Sequence, residues 1–194
     1  MSKNNNLVRS LIQHVEENPT SINQLSMMVD SHTRVIPYDE ILQKSNADIN
    51  ELFDSKCNSL IILLRIRDRN VGHFVLLNYD ESTNTYNYWD PYGFSLSYGL
   101  MLCGDTQKTL LNMLKRVQLR CVSATQACFT ENKYQYQTLS KRISTCGLHC
   151  VIRNSLRFID ENDYRSYILS ATKNKHIDDF IVEMCMLDLI RISS

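Results

Sequence analysis

Glycine and proline are scarce, 5 and 3 among 194 residues. That excludes a collagen-like chain, a flexible low-complexity linker and a proline-rich spacer. Neither sign of charge prevails, because 21 Lys and Arg balance 21 Asp and Glu. A surface that is basic throughout is therefore excluded, although a local basic face is not. No apolar run approaches the roughly 20 residues of a membrane helix; the longest aliphatic run covers only residues 60–64. No apolar signal core follows Ser2-Lys3-Asn4-Asn5-Asn6. These absences predict a soluble, intracellular protein without membrane contact, read here as a monomer.

What is present is ordinary globular material. Apolar residues make up 43% and charged residues 22%, so disorder over most of the chain is not expected. The length suits one domain, with residues 1–30 as an N-terminal helical extension and 59–159 as the core. Seven cysteines are an odd number, so at least one stays unpaired within the chain; a reducing compartment predicts seven thiols.

Leu7, Val8, Leu11, Ile12 and Val15 follow the helical period, and Asn18-Pro19 ends that helix. Ser21 is placed to cap a short helix reaching Met28, and residues 37–42 and 48–53 read as further helical turns. The pattern then changes. Residues 60–66, 71–79 and 86–90 read as three strands joined by polar turns, an antiparallel meander. Residues 106–117 are amphipathic and helical, while 118–122 and 132–137 read as short strands. From Cys146 an apolar stripe through Leu148, Val151, Ile152, Leu156 and Ile159 predicts a helix. Two more follow, from Asp160 or Asn162 to Leu169 and over 177–190, the last with Asp178 and Asp179 in its first turn. The fold class is α+β, a small, mainly antiparallel sheet flanked by helices.

Five histidines are present, and three of them, His14, His32 and His176, stand in polar, solvated contexts. His73 lies inside a strand beside Gly72. It is either a satisfied core residue or part of a site, and the glycine permits a close backbone approach. Asp90 ends the next strand, 17 residues on, before Pro91-Tyr92-Gly93. It is either a turn starter or a carboxylate aimed at the imidazole, where it would fix the tautomer and support the imidazolium. Cys146 stands where the apolar helical stripe begins. A thiol at a helix N-terminus feels the macrodipole and unpaired N–H groups, which favour thiolate. Gly147 leaves room for a substrate backbone, and His73 is available as the partner base. A competing chemistry is zinc: Cys146, His149 and Cys150 share a helix face, and Cys121 or Cys128 would complete four ligands. No paired C-x-x-C accompanies them, so neither metal nor cofactor is expected, and His149, Cys150, Cys57, Cys103 and Cys185 read as packing residues.

The order His73, Asp90, Cys146, in the contexts Gly72-His73-Phe74, Asp90-Pro91-Tyr92-Gly93 and Cys146-Gly147, resembles the adenain-like and SUMO-protease clan of cysteine proteases. The likeness covers about residues 30–160. Residues 34–40 and 145–150 resemble proteases of virophages, polintons and related large DNA viruses, the nearest being Mavirus-type maturation proteases. The resemblance implies an adenain/papain-like fold with the nucleophile at the start of a central helix. It also implies a cysteine endopeptidase acting on a viral capsid protein during virion maturation, at sites with Gly or another small residue, in the virion and the host cytoplasm. A ubiquitin-like-protein isopeptidase uses the same machinery, and a non-catalytic capsid or zinc-binding module is the reading outside enzymes. The clan adds a glutamine to the oxyanion hole; Gln135 and Gln137 are both candidates, and Gln137 lies nearer the pattern. Asp90 stands where adenain has Glu, and Phe74 where adenain-type enzymes often have Trp, as an aromatic lid over the imidazole. Gly72, Phe74, Trp89 and Gly147 are assigned to substrate binding.

Between residues 106 and 157 there are nine Lys and Arg but a single acidic residue, Glu131. This is either a scattered solvated surface or a basic face for non-specific DNA binding, in which Lys141 and Arg142 take part.

Overall fold

The computed structural model describes residues 14, 18–53, 56–66, 72–120, 128–140, 144–173 and 175–193. The expected first helix lies outside these residues apart from His14, as does the turn at 67–70. The chain runs through α1 (Ile22–Ser26), β1 (Thr33–Pro37), α2 (Tyr38–Gln43) and a 3-10 turn (Ile49–Leu52). Then come β2 (Ser59–Arg65), β3 (Gly72–Asp80), β4 (Thr85–Trp89), α3 (Leu96–Leu102), α4 (Thr109–Arg120) and β5 (Cys128–Glu131). The last third is helical: α5 (Cys146–Ser155), α6 (Glu161–Ala171) and α7 (Ile177–Ser193). Short polar side chains set the starts. Ser21 and Gln24 form a capping box on α1, Asp48 and Glu51 one on the 3-10 turn, and Asp160 accepts two N–H bonds at the head of α6. No helix among the described residues is long and apolar enough to cross a membrane.

The five strands lie in the order β1-β2-β3-β4-β5. The centre is the antiparallel meander, with Leu63 opposite Phe74 and Leu76 opposite Trp89. Both outer strands join in parallel, β1 along β2 from Thr33↔Ser59 and β5 along β4 from Thr85↔Cys128. Residues 118–120 continue α4 instead of starting a strand. Residues 132–137 form no strand: Asn132 bonds its side chain to the backbone of Asp90 in both directions, at 2.7 and 2.8 Å, and the N–H groups of Tyr136 and Gln137 both go to the Pro91 carbonyl.

Helices cover both faces of the sheet. On one, Ile62, Val75, Leu77 and Tyr88 pack against α2, the 3-10 turn, α3 and α4. On the other, Ile61, Phe74, Leu76 and Trp89 pack against α1, α5, α6 and α7. This is why residues 60–64 are apolar at every position, since neither face of β2 meets water.

Candidate active site

Register brings His73 to Asp90. Leu76 and Trp89 face each other across β3 and β4, and both His73 and Asp90 are an odd number of residues from that pair. Their side chains therefore leave the sheet on one face, opposite to that of Leu76. His73 Nε2 lies 2.9 Å from Asp90 Oδ2. Asp90 is fully buried. An unpaired buried carboxylate would cost several kcal/mol, and this one is well supplied with donors. Oδ1 accepts the Tyr92 N–H at 2.7 Å, and Oδ2 also accepts the Tyr88 hydroxyl at 3.3 Å. The Asn132 clasp fixes the backbone beneath it.

Asp90 is at the same time the turn starter. The Gly93 N–H returns to its carbonyl at 2.8 Å, closing the turn Asp90-Pro91-Tyr92-Gly93. Gly93 has φ of +71°, and a Cβ there would stand 3.0 Å from the Tyr134 carbonyl, so glycine is required twice over. The turn folds Tyr92 over the imidazole, with ring centroids 4.8 Å apart and planes 27° from parallel. Burial, then the nearby Cys146, Asp178 and Asp90, push the Tyr92 phenol up, so a neutral ring covers His73.

Cys146 opens α5 and is 8% exposed. Its sulfur accepts the backbone N–H of Phe74, the residue after His73, at 3.5 Å. The second ring nitrogen of His73, Nδ1, is buried without a hydrogen-bond partner. Burial opposes charging of this imidazole. The Asp90 hydrogen bond and the neighbouring Cys146 sulfur outweigh that and raise the His73 pKa from 6.5 to about 10. Thr145, at the N-cap position of α5, makes no side-chain bond to its own helix; its hydroxyl donates to Asp178 at 2.6 Å. No side chain of the N-cap residue thus covers the N–H groups of the first turn.

The two glutamines differ in placement. Gln137 is 1% exposed, with its N–H on the Pro91 carbonyl at 2.9 Å, one residue from Asp90. Gln135 is exposed, and its amide donates to the Gln137 carbonyl at 2.8 Å. His73, Asp90, Gln137 and Cys146 therefore converge on one end of the sheet.

The four residues assigned to substrate binding do not form a groove. Phe74 is 5% exposed and packs beneath the start of α5; the ring on the imidazole is that of Tyr92. Trp89 is buried against Tyr136 and Tyr164. Gly147 is buried, and a Cβ there would come within 2.7 Å of Leu25 Cδ1 and 3.2 Å of Phe74 Cδ2, so its smallness serves helix packing. Gly72 is half-buried and admits Leu63, whose Cδ1 would lie 2.3 Å from a Cβ. Sequence reasoning passed over Tyr92 and Asn132. The DPYG turn was the available signal for Tyr92, but Asn132, 42 residues from Asp90, has no local signature.

Among the described residues, no group of three His, Cys, Asp or Glu is placed to hold a metal ion. His149 is bonded to Asp178, Cys150 donates to the Phe74 carbonyl, and Cys121 lies outside the described residues. Of the basic run, Arg116 binds the carbonyls of Ser45 and Ala47, Arg153 those of Leu156 and Ile159, and Arg157 pairs with Asp30. Lys141 and Arg142 lie outside the described residues.

No protein-family model and no curated protein matches the chain. Among solved structures it is similar to the central domain of the uncharacterized Lpg1148 protein of Legionella pneumophila, at 12% identity and TM-score 0.43, over 88% of this chain and 99% of that one. It is similar to the SUMO protease Ulp1 with its catalytic cysteine oxidized to a sulfonic acid, at 11% identity and TM-score 0.37, over 97% and 96%. ChlaDub1 of Chlamydia trachomatis follows at 10% and 0.38, over 94% and 78%. The chemistry of the site rests on this chain's own residues.

Proposed function

We propose that this protein is a cysteine endopeptidase with Cys146 as nucleophile, His73 as its acid–base partner and Asp90 as the carboxylate behind the imidazole. The observation that carries the reading is the 2.9 Å His73–Asp90 bond beside a cysteine that opens an uncapped helix. A protonated imidazole favours the thiolate. The thiolate attacks the scissile carbonyl carbon, and the carbonyl electrons move to oxygen. When the C–N bond breaks, His73 gives its proton to the departing amine. A water, deprotonated by the now neutral His73, then cleaves the thioester and restores the thiol pair.

The developing oxyanion needs donors. The Cys146 N–H supplies one and the Gln137 amide the other. Gln137→Ala is expected to lower kcat by about 10²-fold or more. Gln135→Ala, which alters an exposed side chain, is expected to do little. Steady-state rates on one peptide compare the two; equal losses would remove Gln137 from the oxyanion hole.

The sequence resemblance extends the reading to a substrate: a viral capsid protein of a virophage-type virus, cut at Gly or another small residue during virion maturation. The deciding experiment incubates the protein with capsid precursors and with ubiquitin-like conjugates. Cleavage of the precursor at a small residue is the expected result. Cleavage of the conjugate alone would make it an isopeptidase, and cleavage of neither, with Cys146 no faster than the other thiols towards iodoacetamide, would overturn the enzyme reading.

A further inference from the structure

The mechanism leaves two buried carboxylates unused: Asp105, which lies away from the site and holds Tyr38 and Thr109, and Asp178 beside the site. Asp178, in the first turn of α7, is fully buried, and its two oxygens divide their partners between two segments of the chain. Oδ1 accepts from the Thr145 hydroxyl at 2.6 Å and lies 3.0 Å from His149 Nε2. Both belong to the nucleophile's helix start, Thr145 immediately before Cys146 and His149 one turn after it. Oδ2 accepts the N–H of Thr138 at 3.2 Å and lies 3.2 Å from His176 Nδ1. Thr138 directly follows Gln137, and its hydroxyl lies 3.1 Å from His176 Nε2. Burial opposes ionisation of Asp178, but the His149 contact and the Thr145 and Thr138 donors outweigh it and hold its pKa at about 2. The group is a carboxylate throughout the neutral range.

We propose that Asp178 is the positioning residue of the oxyanion hole, one oxygen holding the Thr145 and His149 side chains on either side of Cys146 and the other the backbone of Thr138, next to Gln137. This rests on the peptidase reading above. The two oxyanion donors come from segments that share no strand ladder or helix, so their separation is not set by secondary structure. A rigid carboxylate bonded to both sets it. The same bond takes the Thr145 hydroxyl away from the N-cap position, where it would compete for the N–H groups that the oxyanion needs. An asparagine keeps the shape but presents one donor face, so it can serve only one of the two segments.

The test separates oxyanion geometry from thiol reactivity. Alkylation of Cys146 by iodoacetamide is a displacement at saturated carbon and forms no oxyanion, whereas acylation by p-nitrophenyl acetate does. In Asp178→Asn, kcat for the ester is expected to fall about 10- to 100-fold with KM little changed, while the alkylation rate stays within about threefold. Thr145→Val is expected to reproduce the effect and Thr145→Ser to restore the rate, and this pair decides the matter if Asp178→Asn does not fold. A parallel fall of both rates would make Asp178 merely structural, and unchanged ester turnover would remove it from the site. If the wild-type protein turns over no ester, the peptidase reading falls first and this inference with it.

Discussion

Cys146→Ala is expected to abolish peptide cleavage, a loss of about 10⁶-fold in kcat by analogy with removal of other catalytic nucleophiles. The protein should remain folded. The side chain belongs to the second core cluster, 8% exposed, and the N–H bond it accepts from Phe74 is long, 3.5 Å. Removing one sulfur atom there should cost about 1 kcal/mol, a shift in melting temperature of only about 2–4 °C for a chain of this size. The remaining buried thiols, Cys57, Cys150 and Cys185, are in core clusters away from solvent, and burial pushes Cys150 well above the ordinary thiol range. Alkylation followed by peptide mapping should therefore find Cys146 modified well ahead of them near neutral pH. Cys146→Ser should also be very weak, because a hydroxyl ionises far less readily than a thiol. Substantial turnover by the alanine variant, at equal purity and fold, would end the proposed mechanism.

The second large effect belongs to His73 and Asp90. His73→Ala removes the base, the acid and the cation in one step, and near-complete loss of activity is expected. Asp90→Asn should be milder, about 10²- to 10⁴-fold in kcat/KM. The physical reason lies in the donors around the carboxylate. Tyr92 N–H claims one oxygen, so the asparagine amide must turn its NH₂ towards His73 Nε2. The imidazole would then carry its proton on Nδ1, which faces the thiol rather than the carboxylate. The pH dependence carries a sign. Asp90 and Cys146 raise the folded pKa of His73 from 6.5 to about 10, so the contribution to stability is complete below about pH 6.5 and is lost as the pH rises through about 10. The stability gap between wild type and Asp90→Asn should thus be widest at and below pH 6.5 and narrow towards pH 10, measured by urea unfolding. The alkaline limb of kcat/KM should move to lower pH in the variant. A gap that widens with rising pH would mean that Asp90 does not stabilise the imidazolium.

Local pattern determined much of this protein. Alternation and polar turns along residues 59–90 placed His73 and Asp90 on adjacent antiparallel strands, and the helical stripe after Cys146 placed that thiol at a helix start. Period and turn chemistry act over a few residues, so they are written in the chain. What only the tertiary structure decided depends on which faces are covered and on what arrives from far away. Phe74 and Trp89 read as site residues beside His73 and Asp90. Helices on the second face of the sheet turn both into core, leaving Tyr92 to stack on the imidazole. The parallel edge strands β1 and β5 depend on crossovers that carry no pairing signal of their own. Asn132 reaches Asp90 across 42 residues, and Asp178 reaches Thr145 and Thr138 across 33 and 40. Each of these looks like an ordinary loop or helix-start residue in sequence. A hydrogen bond between distant segments leaves no periodicity in the chain, and only the packing of α7 against α5 brings Asp178 to the nucleophile.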